Sequence, residues 1–171
     1  MKYLCLALLL ALACLPARAE IVVSDVGGTT IKLAAPAQRI VSLAPHITEL
    51  LFAAGAGSKV VGNVEYGDYP PAARSLAKVG GYSRLDLEAI VALKPDLVMA
   101  WQSGNAPAAV ARLRAMGVNV HLSQSNRIED IAGELERIGK LAGTEARPMR
   151  RRRRFASATP GWPPVTASAR R

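Results

Sequence analysis

Only two histidines occur in the 171 residues, His46 and His121, and they stand 75 positions apart. No His-Glu-x-x-His motif or closely paired histidine is present, so the sequence offers no zinc signature. His46 opens a helical stretch with Glu49 one turn further on, a spacing that suits an acid/base pair. No third residue is evident to orient them, and a solvated helix face accounts for the pair better. His46 therefore divides between helix-start polarity and ligand contact, whereas His121, at an apolar strand end, reads as structural. No Gly-x-Ser-x-Gly elbow occurs, and Gly27-Gly28-Thr29-Thr30 lacks the strand-to-helix setting of a nucleotide turn.

The residues with a use in chemistry are instead aromatic. Tyr66, Tyr69, Tyr82 and Trp101 occupy loop-like positions beside Pro and Gly within Glu65–Asn105. Tyr66 has Glu65, Gly67 and Asp68 as neighbours, Tyr82 follows Gly80-Gly81, and Trp101 precedes Gln102-Ser103-Gly104-Asn105. Large aromatics fill cores as readily as they stack on ligands. Their loop settings at the ends of a rigid scaffold make a ligand surface the sharper reading. Gly104 would then let the backbone turn clear of a bulky ligand.

Alternating elements must position these rings. Ile21–Leu33 reads as a hairpin around Gly27-Gly28, and Arg39–Leu43 as a buried strand. Pro45 opens a helix from His46 to about Ala54, ended by Gly55 and Gly57. Val60–Val64 is a second strand, and Tyr69-Pro70-Pro71 turns into a short helix. Leu85–Leu93 has helical spacing and stops at Pro95. Leu97–Ala100 reads as a strand covered on both faces, Pro107–Met116 as a helix, Val118–Leu122 as a strand and Ile128–Leu141 as an amphipathic helix before Gly143. Such alternation predicts an α/β fold: a three-layer, mainly parallel sheet flanked by helices. Ligands of these sheets sit beyond the carboxyl ends of the strands. Here those ends lead into 44–47, 65–69, 101–105 and 123–126.

Composition narrows the function further. The formal charge of +9 is concentrated at the termini; Glu20–Arg147 holds 13 basic and 13 acidic residues. A neutral body without a basic stripe argues against a nucleic-acid partner. Residues 1–19 read as a signal peptide, with Lys2, an apolar run and Ala17-Arg18-Ala19 as its cleavage site. Both cysteines, Cys5 and Cys14, lie in that leader, so a mature chain would have no thiol chemistry and would suit a bacterial periplasm. Residues 20–147 then form one domain. Residues 148–171, with Arg150–Arg154 and no acidic group, read as an unstructured basic tail, either an interaction arm for nucleic acid or anionic membrane or the product of a frameshift in GC-rich DNA.

Several motifs add a family to this picture. They are Arg39-Ile-Val-Ser-Leu-Ala-Pro45, Thr48-Glu49-Leu50, Asp68-Tyr-Pro-Pro71, Leu87-Glu88, Ile90-Val-Ala-Leu-Lys-Pro-Asp-Leu-Val98, Ala100-Trp101 and Gly104-Asn105. Together they resemble the N-terminal lobe of periplasmic cobalamin-binding proteins, class III solute-binding proteins that serve ABC importers. The first motif and the Lys94–Val98 block are shared with haem and siderophore receptors and imply only the fold. By that resemblance Tyr66 and Trp101 match ring-contacting aromatics, Tyr82 keeps an aromatic face, and Gly104-Asn105 belong to a motif that points to cobalamin; with His46, placed by its helix-start position, they are the expected ligand contacts. Tyr82 departs from the family's usual Trp. The resemblance further implies docking of Glu88 on the importer's permease subunits, no catalysis, no metal and no resident cofactor. Such receptors have two lobes, and the chain is expected to be truncated to one. A haem or ferric-siderophore receptor is the alternative ligand class, with Tyr66 or Tyr82 as a phenolate ligand. An enzyme of flavodoxin-like fold is the alternative function class, although Ser42-Leu-Ala-Pro45 is poor in the Gly that a phosphate loop needs.

Overall fold

The computed structural model describes residues 20–144. The expected leader and basic tail lie outside the described residues. Ile21–Ser24 (β1) and Thr30–Leu33 (β2) pair antiparallel as a hairpin. Then follow Ile40–Ser42 (β3), helix Pro45–Ala53 (α1), Val60–Asn63 (β4), Ala77–Lys78 (β5), helix Leu87–Ala92 (α2), Leu97–Trp101 (β6), helix Pro107–Ala115 (α3), Val120–Ser123 (β7) and helix Ile128–Ala142 (α4). Short 3₁₀ turns at Gly57–Lys59 and Pro71–Ser75 lead into β4 and β5.

Five strands form one parallel sheet in the order β5-β4-β3-β6-β7. The expected three-layer α/β architecture is met, because strands this apolar are stable only when helices cover both faces. One face, with Ile40, Leu97 and Met99, packs under α1, α4 and the hairpin. The other, with Val41, Val98, Ala100 and Val120, packs against Ile90 of α2 and Val110 and Leu113 of α3. Complete burial of Ile90 and Leu113 removes each from water for about 1.5–3 kcal/mol.

Local chemistry moves some boundaries. The helix read over Leu85–Leu93 begins only at Leu87, because the Asp86 carboxylate accepts from the Ala89 amide at 2.9 Å and caps it. Leu85 instead bridges to Gly80. The strand read over Val118–Leu122 begins at Val120, since the Val118 amide still closes the C-terminal turn of α3 on Leu113. Strand β5 was not expected. Its two residues are exposed and pair at the sheet edge with Gly62 and Asn63, so they carry no apolar signal.

The amino ends of the central strands are bound together by one side chain. Asp96 accepts from the amides of Gln38 (2.7 Å) and Arg39 (3.0 Å), while the Arg39 guanidinium donates to the Leu93 carbonyl at 2.7 and 2.9 Å. The Lys-Pro-Asp block thus sets the β3–β6 register at the pole opposite the loops that carry the rings.

Candidate functional site

The carboxyl ends of β3, β4, β5 and β6 lead into the four regions that carry His46, Tyr66, Tyr82 and Trp101 in turn. After β3, Ala44 and Pro45 start α1 and lift His46 into its first turn, exposed at the sheet edge. Trp101 is the last residue of β6 rather than the first of the loop, and it is half-buried against the α1–α4 side of the core. Its indole meets the His46 ring edge-on, with centroids 5.1 Å apart and planes at 83°. Tyr82 leans on the same indole at 5.9 Å and 50°. The three form one cluster, with Tyr82 still 43% exposed. Edge-on and tilted contacts of this kind are the favoured aromatic geometries and are worth about 0.5–1.5 kcal/mol each.

Tyr66 makes no ring contact with that cluster. It stands on the loop after β4, 78% exposed, with a backbone φ of 63°. A tyrosine in the left-handed region costs about 1–2 kcal/mol, and buried Asn63 holds it there. The Asn63 amide donates to the carbonyls of Gly67 and Ala73, closing the loop from beneath. An exposed aromatic kept in a strained conformation has no core-filling purpose.

Two of the expected contacts have a different setting from the one read in the sequence. Gly104 lies in the turn that follows β6, and its need for glycine has a further cause there. A Cβ there would lie 1.8 Å from the Trp101 ring, so glycine is needed to seat the indole. Asn105 is buried, 4% exposed, and its carboxamide is committed to the backbone of the site, which puts it beneath the rings. Glu88, by contrast, lies exposed in the first turn of α2. It borders an open groove of about 980 Å³ with Arg84, Arg112 and Met116, and no ring of the cluster lines that groove.

Electrostatics around the rings is dominated by desolvation. Partial burial lowers the His46 pKa below 6.5, although Glu49 and Glu134 pull the other way. The imidazole is therefore mostly neutral near pH 7, able to accept a hydrogen bond or offer a lone pair. Beneath the site, His121 is fully buried, as its structural reading requires, with Nε2 3.3 Å from Glu134 Oε1. The contact is at ion-pair distance but off hydrogen-bond alignment. Arg137 completes the pairing of Glu134 at 2.7 Å. Burial favours a raised Glu134 pKa, but His121 and Arg137 outweigh it and the carboxyl titrates below its ordinary 4.5. Among the described residues no group of three or more His, Cys, Asp or Glu could hold a metal.

Sequence reasoning missed three polar features here. Asn63, Gln124 and Ser125 carry no motif, yet Gln124 Oε1 and Ser125 Oγ are shielded from solvent beyond β7 without a protein hydrogen-bond partner among the described residues. Only the position of residues 123–126 at a strand end pointed to them.

Chemically, the arrangement presents ring faces, a neutral imidazole and a few polar atoms, without a nucleophile or a paired acid and base. Known proteins resemble the chain in sequence and fold. A family model described as periplasmic binding protein matches residues 40–159. The vitamin B12-binding protein of Vibrio cholerae is 46% identical over 101 residues, 59% of this chain and 37% of that protein. Its counterpart in Vibrio vulnificus is 42% identical over 109 residues, 64% of this chain and 40% of that protein. This chain thus spans well under half the length of the curated relatives it matches. Among solved structures, the periplasmic vitamin B12 binding protein of Vibrio cholerae superposes with a TM-score of 0.67 at 39% identity, over 71% of this chain and 48% of the other. A periplasmic heme binding protein from Pseudomonas aeruginosa gives 0.66 at 27% identity, over 71% and 44%. With the matched segment covering more than half its length, the chain belongs to the periplasmic binding protein family.

Proposed function

We propose that this chain supplies one wall of a corrinoid-binding site in a periplasmic receptor that delivers cobalamin to an ABC importer. The observation that carries the reading is the cluster of His46, Tyr82 and Trp101 at the carboxyl ends of parallel strands, with Tyr66 exposed on the neighbouring loop. Such rings can stack on the broad, largely apolar face of a corrin, and the relatives' similarity selects that ligand among macrocycles. The role proposed is capture and delivery, in which the rings stack on the ligand and orient it. The Gly104 and Asn105 positions serve by seating and holding the indole. In this reading residues 1–19 export the chain to the periplasm, and Glu88, exposed at the rim of the α2–α3 groove, meets a basic surface of the permease subunits.

Isothermal titration of the chain with cyanocobalamin tests the ligand. One wall should bind weakly but saturably, and Trp101→Ala should remove the heat. No binding up to roughly 1 mM, a free energy of about −4 kcal/mol, would overturn the proposal, as would equal binding by Trp101→Ala.

The second reading is haem, favoured by the similarity to a heme binding protein and by the lone pair of His46 beside Tyr82. Hemin should then give a charge-transfer band that Tyr66→Phe or Tyr82→Phe removes. Stacking alone gives no such band.

A further inference from the structure

We propose that Asn105 is the positioning residue of the site, a single carboxamide that fixes the backbones carrying His46, Tyr82 and Trp101 and so sets the spacing of their rings. Its Oδ1 accepts from the Trp101 amide at 2.6 Å. Its Nδ2 donates to the Leu43 carbonyl at 3.0 Å, three residues before His46, and to the Tyr82 carbonyl at 2.7 Å. Leu43 is itself held to β6 through its amide and the Met99 carbonyl, so the carboxamide adds the Tyr82 loop to a junction already made between β3 and β6.

The chemistry admits few substitutes. A carboxamide offers two donors and an acceptor, and all three directions are used here. Aspartate keeps the shape but sets a carboxylate oxygen against two carbonyls, and alanine leaves buried groups unpaired. Gly104 makes the neighbouring provision, since it lets the indole lie across the backbone that Asn105 anchors. Asn105 therefore acts through the rings and need not touch the ligand. The proposal rests on reading those rings as the ligand surface.

The position of the rings has a readout that needs no ligand. Protonated imidazole quenches indole fluorescence on contact, and His46 sits edge-on against Trp101. The other tryptophan, Trp162, is replaced by Phe so that Trp101 reports alone. In that otherwise unaltered full chain, acidification should quench the indole with a midpoint below 6.5, where His46 titrates with Glu49 and Glu134 nearby. His46→Gln should abolish the quench. Asn105→Asp should lose it too while keeping its far-ultraviolet dichroism, and it should bind cyanocobalamin at least several-fold more weakly than the parent.

A folded Asn105→Asp chain that retains the quench overturns the proposal, as does one that binds cyanocobalamin as well as the parent. If the quench is lost but the parent binds no cyanocobalamin, the positioning role stands and the corrinoid reading falls. Should Asn105→Asp fail to fold, hydrogen exchange on the parent chain decides. The Asn105 carboxamide protons and the Trp101 amide should be protected relative to the exposed Ser103 amide, and exchange at the Ser103 rate overturns the proposal.

Discussion

The two faces of the central sheet are built to different rules. Under α2 and α3 the core is a cluster of aliphatic side chains, among them Val41, Leu43, Ile90, Val98, Leu113 and Val120. Under α1 and α4 the apolar residues are interrupted by polar groups in full burial: Ser42 bonded to Thr48 at 2.9 Å, and His121 against Glu134. The aromatic cluster lies at the edge of this second face. An aliphatic layer contributes stability through volume and tolerates exchange of one hydrocarbon for another. A layer with a buried carboxylate is constrained by charge, so its failures are of a different kind and reach the site through the field at His46.

The largest expected effect comes from breaking that charge layer. Glu134→Ala should cost about 3–5 kcal/mol, because it strands His121 and the inner part of Arg137. Replacing both His121 and Glu134 with Leu should cost less, since the buried imidazole goes with its partner and only the part-exposed Arg137 is left unpaired. Urea unfolding compares the two. A single variant no worse than the double would remove the distinction between the faces.

On the aliphatic face, Leu113→Ala should cost about 2–5 kcal/mol, within the range for a filled core position, while Leu113→Met should cost below about 1.5. Neither should shift the pH dependence of stability. A shift would mean that the faces are coupled.

Acid should separate them next. The folded pKa of His46 lies below 6.5, so the folded state resists its protonation; stability is full above 6.5 and declines as pH falls from there towards the folded value. Glu134 is held below 4.5, so its contribution is present above 4.5 and lost as pH falls through its folded value. Thermal unfolding against pH should show both declines. His46→Gln removes the first and Glu134→Gln the second.

The smallest effect belongs to the exposed loop. Tyr66→Ala should change stability by no more than about 0.5 kcal/mol while weakening any cyanocobalamin binding. A loss above 2 kcal/mol would place Tyr66 with the core instead of the ligand surface.

Much of this was legible in the sequence, and for identifiable reasons. Periodicity and Gly/Pro punctuation are local signals, so Pro45, Gly143 and the apolar run of β6 marked their elements within a residue or two. The sheet edge at which Trp101 and Tyr82 gather follows from strand polarity alone. Pairings between distant elements were not legible. Nothing about His121 announces that a carboxylate from the next helix will reach it, and Asn105 read as a contact because a polar residue in a loop gives no sign of turning inward. The reason for Gly104 was missed in the same way, since it depends on the rotamer of a neighbouring indole.

The anchorage at Asp96 has a consequence for how this molecule can change. One carboxylate locks the amino pole of β3 and β6, and the rings stand at the carboxyl pole on loops secured by Asn63 and Asn105. Heredity can therefore act on the two poles separately. In a scan of all single substitutions, those at Asp96 should be lost for want of a folded chain, whereas those at Tyr66 and Tyr82 should survive as folded variants with altered ligand preference. A lineage could shift from one macrocycle to another by drifting at one end of its strands while the other end stayed unchanged.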